Sequence, residues 1–174
     1  MTKTEIAKRI EELGNEVQDL KNQLDKVDKV GFEDDEMFLL STHEYEQYKE
    51  SIPHINAYWW LRSPGYYSNY AAYVINVGSV NFYGLGVDYV FDCVRPALKF
   101  KSTSYFLKRN ETGTWTEAKI GDRIIAYNFP WIIIDKDLAI AEVPIAFRRF
   151  DDKSNDYETS EIRKFLKEWK NGRT

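Results

Sequence analysis

The sequence predicts an α+β fold: a mostly β domain with short helices, preceded by an N-terminal coiled-coil helix. Three observations predict it. An unbroken apolar heptad seam runs through the N-terminal segment. Short aromatic and β-branched runs, punctuated by Gly, Pro, Asn and Ser, fill the middle of the chain. An apolar stripe of helical period closes it. The expected organisation is a helix over residues 1–30 and a second domain over 31–174.

In the first segment Ile6, Ile10, Leu13, Val17, Leu20, Leu24 and Val27 are spaced 4-3-4-3-4-3. Ile10, Val17 and Leu24 take the a positions of a heptad; Ile6, Leu13, Leu20 and Val27 take d. The residues between them are mostly charged or Gln, so the helix is too polar elsewhere to lie flat in a core. It needs a partner helix, and identical copies are the simplest source. β-Branched residues at two of the three a positions, with Leu at the middle d positions, favour two parallel strands, and the short seam leaves a trimer open. Glu16 at g and Lys21 at the following e can pair between parallel chains. Gly14 weakens the helix by about 1 kcal/mol relative to Ala. The expected assembly is a homo-oligomer, dimer or trimer, through residues 6–27; the alternative is an amphipathic helix docked on its own domain.

Residues 28–36 (DKVGFEDDE) read as a polar hinge containing Gly31, followed by a short buried strand at Met37–Leu40. Ser41-Thr42-His43-Glu44 is a capping-box start, because the Glu side chain can reach back to the Ser41 amide. It opens a helix of about two turns, to Glu50. Residues 56–62 (NAYWWLR) read as a strand or buried turn ended by Ser63-Pro64-Gly65. Ala71–Val74 and Ser79–Phe82 are hairpin arms around Gly78, and Gly84 and Gly86 divide the stretch after them into short strands. Val94-Arg95-Pro96-Ala97-Leu98 closes this region, with Pro96 at an edge or strand end. Strands are expected at 103–108, 123–127, 130–135, 138–143 and 145–149. The last helix is expected over 158–170, where Ile162, Phe165, Leu166 and Trp169 recur at i, i+3, i+4, i+7.

Bulk properties exclude several function classes. The 174-residue chain carries a formal net charge of -4, which does not favour binding to a phosphate backbone, so no nucleic-acid partner is expected. Cys93 stands alone, which rules out an internal disulfide framework and leaves no thiolate-rich zinc site; it reads as a small, partly apolar residue. His43 and His54 read as surface residues. Asp34-Asp35-Glu36 and Asp151-Asp152 read as solvated charge runs without calcium-loop spacing. Asn110-Glu111-Thr112 matches a glycosylation sequon but reads as a loop. No phosphate-cradling loop or nucleophile–His pairing is present, so no catalytic residue, metal or cofactor is expected, and no enzyme. The N-terminus is charged rather than signal-like and no run approaches membrane-spanning length. A soluble protein is expected, with no membrane insertion.

One window stands apart. Residues 66–93 (YYSNYAAYVINVGSVNFYGLGVDYVFDC) contain no Lys, Glu, Gln, Met or Trp, although those types supply 40 of the other 146 residues. The window holds six of the twelve tyrosines, together with Phe82 and Phe91. Tyr, Ser, Gly and Asn are the vocabulary of antibody-like contact surfaces: rigid aromatic area beside small, adaptable polar groups. All five missing types need a purine in the third codon position, so a stretch written in pyrimidine-ending codons cannot contain them. Twisted strands and tight turns, which favour Tyr, Val, Gly and Asn over Lys and Glu, offer an alternative explanation.

Several further stretches carry a resemblance. They are Trp59-Trp60-Leu61-Arg62-Ser63-Pro64-Gly65, Val94-Arg95-Pro96-Ala97-Leu98, and AAYV…GSV between them. Phe38-Leu39-Leu40-Ser41-Thr42 with Tyr45, Glu46 and Tyr48 adds to these, as do Trp131-Ile132-Ile133-Ile134-Asp135 and Ser160-Glu161-Ile162-Arg163-Lys164-Phe165-Leu166. Together they resemble a bacterial and phage family of C-type-lectin-fold domains related to formylglycine-generating enzymes, several of which are targets of diversity-generating retroelements. In those relatives the WIIID…SEIRKFL-like part precedes the LLST…WWLRSPG-like part; here it comes after, which implies a circular permutation.

The resemblance implies a C-type-lectin-like domain whose variable segment spans about 66–93. It implies adenine-directed mutagenesis of selected codons, and AAC-type codons randomised at their adenines never yield Lys, Glu, Gln, Met or Trp. The mutable, ligand-binding positions would be Tyr66, Tyr67, Tyr70, Ile75, Val77, Phe82, Tyr83, Leu85, Asp88, Tyr89 and Phe91. Trp59 and Trp60 would be core, and Arg62 and Arg95 would hold loops through carbonyls or carboxylates. The implied function is a diversified receptor- or ligand-binding protein recognising a protein or cell-surface structure, on a phage particle or a bacterial surface reached by a non-classical route. The competing expectation is a fixed structural protein of a phage or prophage particle that uses the aromatic face as a subunit contact.

Overall fold

A computed structural model describes residues 5–6, 8–10, 12–17, 36–100, 107–109 and 115–172. The described N-terminal residues are helical, and Ile6, Ile10, Leu13 and Val17 are all exposed. Leu20, Leu24 and Val27, the hinge as far as Asp35, the sequon at 110–112 and most of the strand expected at 103–108 lie outside the described residues.

The rest is mixed α+β, mostly sheet. In chain order the elements are β1 (Glu36–Phe38), α1 (Thr42–Tyr48) with a 3-10 turn at Lys49–Ser51, β2 (Trp59–Pro64), β3 (Tyr70–Val74) and β4 (Val80–Gly86). Then come β5 (Cys93–Val94), β6 (Ala97–Lys99), β7 (Leu107–Arg109), β8 (Trp115–Glu117) and β9 (Arg123–Ala126). β10 (Phe129–Asp135), β11 (Leu138–Ala141), β12 (Ala146–Phe147) and α2 (Glu161–Asn171) complete the chain. One sheet has the order β1-β6-β11-β10-β9, the second β12-β5-β2-β3-β4, and β7 pairs with β8. Among the described residues all pairings are antiparallel except β2 with β5.

Burial follows from position in each sheet. β10 and β11 sit inside the first sheet, and Trp131–Ile134 and Leu138–Ala141 are buried on both faces. β2 sits inside the second. Successive strand residues point to opposite faces, so two consecutive buried tryptophans mean that both faces of β2 are covered. Trp59 meets Tyr45 edge-on from α1, with ring centroids 5.4 Å apart. Trp60 meets Phe150 at 5.9 Å and Tyr73 at 6.4 Å, and its indole N–H donates to Arg148 O. The β11–β6 and β12–β5 ladders are each extended by a further main-chain bond, Ala141 N–H to Pro96 O and Ile145 N–H to Val94 O. Pro96 lies in the link between β5 and β6, where its missing N–H costs no ladder bond.

The capping box forms as the spacing requires: Ser41 Oγ accepts from Glu44 N–H, and the Glu44 carboxylate accepts from Ser41 N–H. Burial works against the Glu44 carboxylate, but the Arg62 guanidinium and the Ser41 amide outweigh it and hold its pKa below the ordinary 4.5.

The last helix starts three residues later than its apolar period implies. Ser160 is the cap, accepting from Arg163 N–H, while Asp156 holds Glu158 and Thr159 in a preceding turn. Ile162 and Leu166 are buried, and Phe165 and Trp169 pack beside them. Asp151 corrects the reading of Asp151-Asp152 as a solvated pair. It is buried, Oδ1 accepting from the amides of Lys153 and Ser154 and Oδ2 from that of Glu161. Asp152 is exposed.

Candidate functional site

The aromatic window is built on the β3–β4 hairpin. Its turn, residues 75–79, closes through Ile75 N–H to Ser79 O, and Gly78 takes a φ of +82°. Tyr45 Oη donates to Gly78 O from the scaffold, and the His54 imidazole Nε2–H donates to Asn76 O. The pairing is regular at Val74↔Val80 and Tyr73↔Asn81, then shifts to Ala71↔Leu85, so Ala72 opposes the three residues Phe82–Gly84. This bulge expels Phe82 and Tyr83 from the sheet and exposes both. Asn81 Oδ1 accepts from Gly84 N–H and closes it.

Two glycines fix the bulge against the loop after β2. Gly84 has φ +85°, and a Cβ there would lie 2.7 Å from Ala71 O and 3.0 Å from Gly65 Cα. A Cβ on Gly65 would lie 2.6 Å from Tyr83 O. The two backbones therefore touch, and Tyr66 N–H donates to Tyr83 O at 2.8 Å. From outside the window, the Asn155 amide donates to both Tyr67 O and Tyr70 O, and Asn155 N–H donates to Ser68 O. Main-chain atoms and a distant asparagine thus hold the loop.

The side chains form two aromatic groups. Tyr66 and Tyr83 stack at 5.2 Å with planes 6° apart. Tyr67 meets Tyr66 edge-on at 5.0 Å and Tyr83 at 5.7 Å, and Tyr70 meets Tyr67 at 5.1 Å and Tyr83 at 6.0 Å. The Tyr67 hydroxyl beside it pushes the Tyr83 phenol above the ordinary 10.0. Tyr89 and Phe91 form a separate pair at 5.5 Å. Their loop is pinned by Val87, which is buried and whose carbonyl accepts from Phe150 and Asp151 while its N–H donates to Asn69 O.

Tyr66, Tyr67, Val77, Phe82, Tyr83, Asp88, Tyr89 and Phe91 are exposed, from Tyr67 at 48% to Tyr66 at 72% among the first pair. Tyr70, Ile75 and Leu85 are half-buried, Leu85 packing on the core. Ile75 and Val77 sit at the turn, one strand length or about 15 Å from Tyr70. They are not part of the tyrosine cluster. Within the same window Ala71, Ala72, Val74, Gly84, Val87, Asp92 and Cys93 are buried.

Exposed apolar residues of this sheet and its loops, Val90, Tyr58, Phe147 and Val143 among them, escaped the sequence reading. Val90 lies inside the window, while Tyr58 and Phe147 lie outside it. Tyr58 packs against Tyr73 at 6.1 Å, and Phe147 pairs with Cys93 across β12–β5. Exposure of a single aromatic outside the biased window leaves no signal in the sequence.

Asp92 lies beneath this face, only 3% exposed, and its Oδ2 has no hydrogen-bond partner among the described residues. Burial pushes its carboxyl from 3.8 up to about 6. The unfolded chain releases that proton near 3.8 and the folded chain only near 6, so ionisation penalises the fold above that range. The penalty is complete above about pH 6, relieved as pH falls toward about 4, and absent below, with an upper size of about 3 kcal/mol. Asp92→Asn is therefore expected to stabilise the protein at pH 7 by about 2 kcal/mol in urea denaturation. A variant less stable than the parent at pH 7 contradicts this. Glu44, Asp151 and Glu161 have lowered pKa values, so their contributions to stability are lost with acid instead. The Asp92 relief opposes them.

The other singled-out groups have structural partners. Arg62 makes a two-pronged ion pair with Glu44 and donates to Leu39 O. Arg95 donates from Nε to Ala141 O. Cys93 is buried, which pushes its thiol up to about 11, and His43 and His54 are exposed. Among the described residues, no group of three or more His, Cys, Asp or Glu side chains could hold a metal ion, and no helix is long and apolar enough to cross a membrane. No protein-family model, curated protein or solved structure matches the chain.

Proposed function

We propose that this chain is a diversified ligand-binding protein: a C-type-lectin-like scaffold displays a variable Tyr/Phe face, and copies assemble through the N-terminal heptads. One observation carries the reading. Inside a single compositionally biased window, the positions expected to vary are exposed or half-buried, whereas the window's remaining apolar positions are, apart from Tyr73, Val80 and Val90, buried. Main-chain bonds, Gly65–Gly84 contact and Asn155 fix the loops, so replacing their side chains costs little fold stability. An aromatic surface this dense is uncommon without a partner, and tyrosine anchors with little rotamer entropy suit contact with a protein or cell-surface structure.

The scaffold claim is testable without knowing the ligand. The eleven positions are randomised together with codons ending in C, and the pooled variants are sorted for protease resistance. Most are expected to stay folded, and binders to an arbitrary folded protein should be selectable. The same treatment of Ala71, Ala72, Val74, Val87 and Cys93 should unfold most variants. Equal losses in both libraries would reject the reading. In a selected binder that retains Tyr83, Tyr83→Ala should weaken binding at least tenfold while leaving the domain folded, at a cost of about 1 kcal/mol for the lost ring contacts.

The exposed stripe of Ile6, Ile10, Leu13 and Val17 supports assembly through the helix. Joining several faces multiplies a weak single-site affinity by avidity. Deleting residues 1–30 should convert an oligomer to a folded monomer by light scattering; an unchanged oligomer would reject the seam.

A further inference from the structure

Arg95 lines a cavity of about 180 Å³ between the first helical turns and the β3–β4 turn, together with Tyr45, Glu50, Ile52, His54 and Gly78. The Arg95 side chain is 1% exposed, its guanidinium carbon lies 5.4 Å from the Trp59 ring centroid, and among the described residues only its Nε has a hydrogen-bond acceptor, Ala141 O. Nη2 is buried and has no hydrogen-bond partner among the described residues. No carboxylate among the described residues forms an ion pair with it. A buried cation without a counter-charge is costly, and the usual resolution is an anion within reach. Burial lowers the Arg95 pKa to about 10, which still leaves the group charged at neutral pH.

We propose that this cavity binds a carboxylate monoanion, with the Arg95 guanidinium as its charge partner. The volume accommodates about six water-sized groups, enough for a carboxylate on a short stem. The planar fork of a guanidinium matches a carboxylate in shape. Of the other charged groups at the cavity, Lys49 is already paired with Glu46 at 2.7 Å, and exposed Glu50 faces the rim. Glu50 repels dianions more than monoanions. His54 spends Nε2–H on Asn76 O and Tyr45 spends its hydroxyl on Gly78 O, so Arg95 is the group with capacity to spare. Two sources share this chemistry: a small free acid, and the side chain of an acidic residue on a docked protein. The site lies at the turn end of the hairpin and shares Ile75 with the proposed variable positions, but it is outside the tyrosine cluster, so its failure would leave the proposed aromatic face untouched.

The test is an NMR titration of the full chain with sodium acetate, against sodium chloride at equal ionic strength. It reads the Arg95 Nε–H and the Gly78 amide. Saturable shifts with acetate and none with chloride are expected. Arg95→Gln should lower the affinity about tenfold or more. Glu50→Gln, at an exposed rim position, should raise it about threefold and decides the matter even if Arg95→Gln does not fold. The blocked peptide acetyl-Gly-Glu-Gly-amide separates the sources: tenfold tighter binding than acetate assigns the site to a protein side chain, and equal or weaker binding to a free acid. Shifts that fail to saturate with both probes, match those of chloride, or ignore Glu50→Gln would overturn the proposal.

Discussion

Gly84→Ala is expected to destabilise the protein by about 3 kcal/mol and to break the Tyr66–Tyr83 stack. Two costs add. The residue sits at φ +85°, where an L side chain is strained. The new methyl would also lie 2.7 Å from Ala71 O and 3.0 Å from Gly65 Cα, and both neighbours are backbone, unable to rotate away. The bulge would have to unwind or separate from the loop at Gly65, and either response pulls Tyr83 from Tyr66. Gly121→Ala is the control. Gly121 has φ +90°, and a methyl there would meet nothing within 4 Å, so the change should cost only about 1 kcal/mol. Chemical denaturation of both variants measures the difference, and equal losses would mean that the Gly65–Gly84 contact does not hold the bulge.

Trp60→Ala is expected to cost about 4 kcal/mol, enough to unfold a marginally stable domain. The side chain is completely buried between Phe150 and Tyr73, and it gives Arg148 O its indole proton. Removing it opens a cavity and also leaves that carbonyl without its donor. Trp60→Phe keeps most of the volume but loses the proton, so it should cost about 1–2 kcal/mol. A small loss for Trp60→Ala by thermal or urea unfolding would place the folding core elsewhere.

Local chemistry made much of this fold legible. The Ser41/Glu44 capping box, the turn at Gly78, the strand break at Pro96 and the inward stripe of the last helix all depend on residues within a few positions of one another. The features that escaped depend on distant partners or on unusual backbone. The sequence suggested that Gly84 divides strands, yet β4 runs through it, because the positive φ is absorbed as a bulge closed by Asn81. β9 and β10 join through Tyr127 and Asn128, both at positive φ, a two-residue turn without glycine. Asp151 reads as surface charge until the amide of Glu161, ten residues on, is brought to it.

The candidate site was marked in composition and not in geometry. Codon-like bias and aromatic density mark the window, but they do not say which aromatics touch. Four tyrosines gather because Asn155 and the Gly65–Gly84 contact bring two loops together. Tyr89 and Phe91 form their own pair, and Val77 rides on the distant turn. The tyrosine cluster depends on contacts that no local pattern encodes.

The most direct test of a diversified face is to sequence the gene and its flanking DNA across a population of its source. Diversification predicts substitutions at codons 66, 67, 70, 75, 77, 82, 83, 85, 88, 89 and 91, with buried codons 71, 72, 74, 84, 87 and 93 unchanged, each substitution matching an adenine in a nearby template copy beside a reverse transcriptase gene. A uniform window with purine-ending codons and no template copy would contradict it and leave the aromatic face as a fixed contact.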